Sequence, residues 1–186
     1  MGLIRVVGGE LRGRRLAVTA RGVRPTSERT REAIFDILGM ALVSGARVLD
    51  LYAGTGALGV EALSRGAAFA DFVEGSAEVA RRLTESLASL GLAARSRVHR
   101  SDLSRGVLPV SAEGPWQIVF LDPPYEGGAG EMWLRALARI PWSESGGVVV
   151  HERGRSARSE TPEGLRLLTE RRYGDTTVAI YRGGDE

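Results

Sequence analysis

The sequence predicts an α/β fold: a doubly wound, mostly parallel seven-stranded sheet with an antiparallel C-terminal hairpin, preceded by a small N-terminal β-hairpin plus helix. Three observations predict it. From residue 47 onward, short apolar runs alternate with helical segments. Glycines close several of those helical segments. The last two runs flank a Gly174-Asp175 turn. Repeated β-α units set strands side by side in parallel, with helices on both faces. A Gly-Asp turn joins neighbouring strands in antiparallel.

The elements follow in order. A strand-like run over 3–7, the turn residues Gly8-Gly9 and a return run over 14–19 predict a hairpin. Pro25 holds Arg24 extended, and Thr26 or Ser27 caps the next helix. In that helix Ala33, Ile34, Ile37, Leu38, Ala41 and Leu42 recur at helical spacing and form the expected buried face; Ser44-Gly45 ends it. Residues 1–45 are thus expected to be a basic hairpin-and-helix appendage and residues 46–186 the main domain. Strands are expected over 47–51, 69–73, 97–100, 117–121 and 147–151, with helices over 57–65, 76–90 and 130–140. Runs 165–173 and 176–181 make the edge hairpin.

Composition narrows the function classes. The 186 residues contain no cysteine, which excludes disulfides, thiolate metal sites and cysteine nucleophiles. His99 and His151 stand far apart, so no histidine metal site is expected and both read as structural. No charge-free run exceeds ten residues, against about 18 for a membrane span, and the first residues lack a signal-peptide pattern. A cytoplasmic protein with no membrane partner is expected. All 25 basic residues are arginine, a bias that discounts arginine counts as such. Their distribution is more telling: residues 1–31 hold eight arginines against Glu10 and Glu28, while the remainder is net acidic. A basic arm on an acidic body suits either a polyanionic partner or a solvated surface.

The segment from Val48 to Gly59 carries Gly54-x-Gly56-x-x-Gly59 between a strand and a helix. Such glycines allow a tight turn and close approach of a ligand to the backbone. Glu74, 20 residues after Gly54 at the end of the next strand, is placed to accept ribose hydroxyls. The cradle therefore suits a nucleoside-containing cofactor. Asp50, four residues before Gly54, suits a cation better than a pyrophosphate.

The most specific stretch is Asp122-Pro123-Pro124-Tyr125, which follows an apolar strand directly. Prolines contribute carbonyls without N–H donors. Asp122 adds a carboxylate acceptor and Tyr125 a flat face on which a base can stack. Two acceptors beside an aromatic face suit an exocyclic –NH₂ on a nucleobase. Hydrogen bonds from both amine protons, to Asp122 and the Pro123 carbonyl, draw the nitrogen toward a tetrahedral, nucleophilic geometry.

The pattern Asp50-x-x-x-Gly54-x-Gly56 resembles the first motif of class I methyltransferases, whose fold is Rossmann-like and whose cofactor is S-adenosyl-L-methionine. The resemblance implies cofactor contacts at Asp50, Ala53, Gly54, Thr55, Gly56, Leu58 and Glu74, and at Asp102 and Leu103 after the third strand. Asp102 equally reads as a helix cap. With Glu61-Ala-Leu-Ser-Arg-Gly-Ala67 added, the chain resembles the RsmD-type family, which modifies N2 of one guanine in 16S ribosomal RNA. Gly13-Arg-Arg-Leu16, Arg24-Pro25-Thr26, Arg31-Glu-Ala-Ile-Phe35 and Tyr173-Gly-Asp-Thr176 match as well, so the likeness runs from residue 4 to 181. It implies a catalytic set of Asp122, Pro123, Pro124 and Tyr125. It implies a partner in 16S ribosomal RNA, within the small subunit or an assembly intermediate, and a monomeric enzyme. Arg12, Arg14, Arg15 and Arg24, with Arg29, become phosphate contacts; Arg31 pairs with acids on its own helix. The region 126–165 diverges, so no substrate contact is carried over there.

Three other readings stay open. An adenine-N6 DNA methyltransferase shares Asp-Pro-Pro-Tyr, but 186 residues leave no room for a separate target-recognition domain. A noncatalytic RNA-binding assembly factor is disfavoured by the intact cradle. A nicotinamide dehydrogenase is disfavoured by Asp50.

Overall fold

The computed structural model describes residues 2–18, 27–109, 114–124, 128–140, 146–155 and 160–183. Arg24 and Tyr125 lie outside them. A two-stranded hairpin, β1 (Gly2–Arg5) and β2 (Arg15–Val18), precedes helix α1 (Glu28–Val43). The main sheet holds β3 (Arg47–Leu51), β4 (Phe69–Glu74), β5 (Ser96–Arg100), β6 (Ile118–Leu121), β7 (Val148–Gly154), β8 (Leu165–Tyr173) and β9 (Thr176–Gly183). Its spatial order is β5-β4-β3-β6-β7-β9-β8, and β9 alone runs against the other six, so its pairings with β7 and β8 are the antiparallel ones. Helices α2 (Ala57–Ser64), α3 (Ala77–Ser89) and α4 (Ala129–Leu137) supply the crossovers.

Side chains alternate across each strand, and the core divides accordingly. Val48, Phe72, Phe120 and Val150 face one layer with Ile34, Leu63, Leu83 and Leu87. Leu49, Val73, Val119 and Val149 face the other with Trp133, Leu134 and Leu137 of α4. Ile4, Val6 and Leu16 of the hairpin and Phe35 and Leu38 of α1 join the first layer, so the 1–45 segment shares its core with the sheet. Among the described residues no helix is long and apolar enough to cross a membrane.

Helix α1 departs from its expected face. Ser27 caps it, accepting from the Thr30 N–H at 3.0 Å. Gly39 then breaks it with φ 71°. Ile34, Phe35 and Leu38 are buried, together with Thr30 and Arg31, while Ile37 is 41% exposed. An apolar count could not anticipate a buried arginine. Arg31 is not on a solvated face: it is buried, its Nη2 donates to the Arg5 carbonyl at 2.7 Å, and the acids near it include Glu28 of its own helix but also Glu61 and Glu152 from elsewhere in the chain. Burial lowers its pKa, with Glu61, Glu28 and Glu152 opposing.

The hairpin is locked to α2 by polar contacts. Buried Glu61 accepts from the Val7 N–H at 2.9 Å and from Arg65 Nε at 2.8 Å. Ser64 Oγ donates to the Gly8 carbonyl and accepts from the Leu11 N–H. Gly9 has φ 75°, and a Cβ there would sit 1.8 Å from the Ser64 carbonyl oxygen, so only glycine fits.

Candidate active site

Strand order reverses between β3 and β6: β4 leaves β3 on one side, and β6 and β7 extend on the other. Ligands of open α/β sheets sit at such a switch point, beyond the carboxyl ends of the strands. Leu51 lies in register with Leu121. The two motifs therefore leave the sheet side by side, from strands about 4.8 Å apart.

The glycines divide the work. Gly54 (φ 53°) and Gly56 (φ 75°) make the turn, and Gly56 caps α2 in the left-handed region. Gly59 instead seats the helix, because a Cβ there would lie 2.3 Å from Phe72 Cε1 and 3.0 Å from Asp50 Oδ2. Tyr52 holds φ 59°, a conformation that costs a non-glycine residue about 1–3 kcal/mol. Ala53 anchors the loop through its N–H to the Val73 carbonyl at 3.0 Å. Thr55 is half-buried in the turn, whereas Leu58 packs into the core layer beneath α2.

Two carboxylates flank this loop. Asp50 is 2% exposed and accepts the Gly59 N–H at 2.9 Å. Burial pushes its pKa up to about 7; the Gly59 bond opposes that rise and the charge of Glu74 adds to it. Glu74 accepts the Gly54 N–H on Oε2 at 3.0 Å and the Ser76 N–H on Oε1 at 2.7 Å. It thus ties the glycine turn to the start of α3, and an ionised carboxylate has further lone pairs on each oxygen. Asp102 is exposed and accepts the Ser104 N–H at 2.9 Å, capping a single 3₁₀ turn over Leu103–Arg105. The backbone and hydroxyl of Ser104, and then Arg105, lower its pKa.

A cluster missed by the sequence reading joins these walls. Trp133 Nε1 donates to the Leu103 carbonyl at 3.0 Å and to Tyr52 Oη at 3.1 Å, and Tyr52 Oη donates to Leu103 O at 3.3 Å. The available signal was a tryptophan on the apolar face of α4, whose indole N–H needs a partner once buried.

At the acceptor motif Asp122 is half-buried, Pro123 buried and Pro124 exposed. His151, read as structural, pairs in register with Leu121 beside this motif. A Cβ on Gly130 would lie 2.5 Å from His151 Nε2 and 3.5 Å from Pro123 Cγ, so imidazole, proline and helix start are packed together. Burial, and then the charge of Arg153, push the His151 pKa down to about 4. His151 Nδ1 has no hydrogen-bond partner among the described residues.

The hairpin arginines are not brought to this edge. Arg12, Arg14 and Arg15 are exposed, and Arg14 Nη2 donates to the Ser89 carbonyl at the end of α3 at 3.4 Å. The turn before β2 lies on Ser64 at the end of α2. Both helices run back toward the amino ends of the parallel strands, so these contacts mark the opposite edge of the sheet. Among the described residues no cluster of three or more histidine or acidic side chains could hold a metal ion.

A Rossmann-like sheet ending in an antiparallel hairpin is the architecture of class I methyltransferases. A Salinibacter ruber RNA methyltransferase, solved in complex with S-adenosyl-L-homocysteine, shares this fold with TM-score 0.63 at 18% identity, covering 88% of this chain and 95% of that one. The chain belongs to the family described as conserved hypothetical protein 95, which matches residues 4–182, and this is the RsmD-type family of ribosomal RNA methyltransferases. Ribosomal RNA small subunit methyltransferase D of Escherichia coli is 35% identical over 183 residues, covering 97% of this chain and 90% of that protein. A solved Escherichia coli chain superimposes with TM-score 0.84 at 33% identity, with all of both chains covered.

Proposed function

We propose that this protein uses S-adenosyl-L-methionine to methylate the exocyclic N2 amine of a guanine in 16S ribosomal RNA, acting as a cytoplasmic monomer on the small subunit or its precursor. One observation carries the reading: cradle and acceptor motif emerge in register from the adjacent central strands β3 and β6. The cofactor fits the residues present. Asp50 is a buried carboxylate with no cation in contact among the described residues, suited to a ligand with an ammonium and a sulfonium. Glu74 suits the ribose hydroxyls, and Asp102 with Leu103 the adenine end.

S-adenosyl-L-methionine supplies an electrophilic methyl group and leaves as a neutral thioether. The chain's own residues prepare the nucleophile. The Asp122 carboxylate and the Pro123 carbonyl accept the two amine hydrogens and turn the nitrogen lone pair toward the cradle. Tyr125 stacks on the extruded base, whose unstacking costs a few kcal/mol. The new N–C bond forms as the C–S bond breaks, and Asp122 takes the surplus proton. Positioning and fixed electrostatics supply the rate. Arg24 and the hairpin arginines Arg12, Arg14 and Arg15 hold phosphates, the latter at a distance from the target base.

Radiolabelled S-adenosyl-L-methionine offered with unmodified small subunits, naked 16S RNA and duplex DNA tests this directly. N2-methylguanosine from ribosomal RNA is the expected product. N6-methyladenosine from DNA would replace the substrate assignment, and absence of label from every substrate would remove the activity. Asp122→Ala is expected to abolish transfer while leaving cofactor affinity, read by calorimetry, nearly unchanged.

A further inference from the structure

A groove of about 370 Å³ runs between the turn after β5 and the outer face of α4. Arg105, Arg135 and Arg139 line it, with Gly106 and Met132 between them. All three arginines are exposed. None hydrogen-bonds or ion-pairs with a described residue, although four other exposed or half-exposed arginines (Arg5, Arg81, Arg82 and Arg95) do so with glutamates. The groove begins where both walls of the candidate site end. Arg105 closes the turn that Asp102 caps, and α4 opens at Ala129, beside Gly130, on which a Cβ would lie 3.5 Å from Pro123 Cγ.

We propose that this groove binds the phosphate backbone of the single-stranded RNA leaving the acceptor site. The inference rests on the RNA reading above and gives that substrate a path across the protein. Three arginines lining one concave strip suit phosphate oxygens, which guanidinium forks can hold bidentately. Phosphate contacts position a strand without reading its sequence, which is what a strand flanking one chosen base requires. The groove starts beside the acceptor motif at Arg105 and the first turn of α4 and follows the helix away from it to Arg139, the course of a strand that flanks the target, whereas the described hairpin arginines stand by the far ends of α2 and α3. Glu131 also lines the groove, and its charge opposes the three cations.

The test compares two triple variants. Arg105→Ala/Arg135→Ala/Arg139→Ala removes the groove charges. Arg166→Ala/Arg171→Ala/Arg172→Ala removes equal charge from the edge strand β8. Binding of a short labelled single-stranded RNA is followed by anisotropy against salt, with cofactor calorimetry as the check on folding. The groove variant is expected to lower the slope of log K against log salt by about 2, the loss of three single-strand phosphate contacts. Its KM for RNA should rise about tenfold or more with kcat at saturation unchanged, and its cofactor affinity should hold. Glu131→Gln should tighten RNA binding. Equal slopes for both triples, or an unchanged slope for the groove variant, overturns the proposal. Absence of methylation by the wild-type protein would instead strike the proposed activity, while the binding slopes would still decide the groove.

Discussion

Asp50 and Asp71 are both buried carboxylates on neighbouring parallel strands, and their surroundings are opposite. Asp71 is fully buried on the α4 side of β4. Arg47 Nη2 donates to its Oδ2 at 3.1 Å, Trp116 Nε1 to the same oxygen at 3.4 Å, and His99 Nε2 lies 2.8 Å from Oδ1. Asp50 has one backbone N–H from Gly59 and a second carboxylate, Glu74, as its charged neighbour. One acid is compensated within the chain. The other is desolvated with no cation in contact among the described residues, so its ionised form is disfavoured. Burial alone does not separate the two; the described counter-charge does, and the uncompensated acid stands at the switch point of the sheet.

Breaking the compensated acid should have the larger effect on stability. Asp71→Ala leaves Arg47 and His99 without their shared acceptor and is expected to cost about 3–5 kcal/mol, read from the denaturant midpoint. A loss below about 1 kcal/mol would mean that the network is not a unit. Breaking the uncompensated acid should act in the opposite direction on the free protein. Asp50→Asn keeps an acceptor for Gly59 and removes the buried charge. Stability at about pH 8 should rise, while cofactor binding weakens by about 1.5–3 kcal/mol, measured by calorimetry. Unchanged affinity would separate Asp50 from the cationic end of the cofactor.

The pH dependence sharpens the contrast. Asp50 has a folded pKa of about 7, above the 3.8 usual for an aspartate, so it contributes stability at low pH that is lost as pH rises through about 7. His151 works in the other direction. Its folded pKa of about 4 lies below 6.5, so its contribution is present above 6.5 and is lost as pH falls toward 4. The two trends oppose each other in the wild-type protein. Melting curves of Asp50→Asn should therefore uncover a decline toward acid that the parent partly masks. Cofactor binding should tighten as pH rises through 7 in the wild type and be flat there in the variant. The smallest effect is expected at an exposed pair. Arg5→Ala breaks the 2.7 Å contact with Glu28, and its melting midpoint should stay within experimental error of the parent.

The order of β-α units, the edge hairpin around Gly174-Asp175, the cradle at Gly54-x-Gly56 and the Asp-Pro-Pro stretch were all legible in the residues. Each depends on local chemistry: side-chain period, glycine at positive φ, and proline without an N–H. The interlocked polar contacts were not legible. Glu61 and Ser64 read as residues of a helix, yet they hold a hairpin 53–56 residues away. Arg31 read as a partner for acids on its own helix, and it is buried with the Arg5 carbonyl of β1 as an acceptor and with Glu61 and Glu152 near it besides Glu28. Asp71 carried no motif, and its three partners come from β3, β5 and the segment before β6.

The sequence by itself therefore determined which strands form, that the sheet is mostly parallel, and which loops carry acceptors, because these follow from periodicity and backbone restriction within a few residues. Only the tertiary structure decided which carboxylate is compensated and which is buried beside a second acid. It also decided which arginines stand by the far ends of α2 and α3 and which line a groove along α4. Those properties depend on distances between residues far apart in the chain, through desolvation and charge, and neither is written in any local pattern.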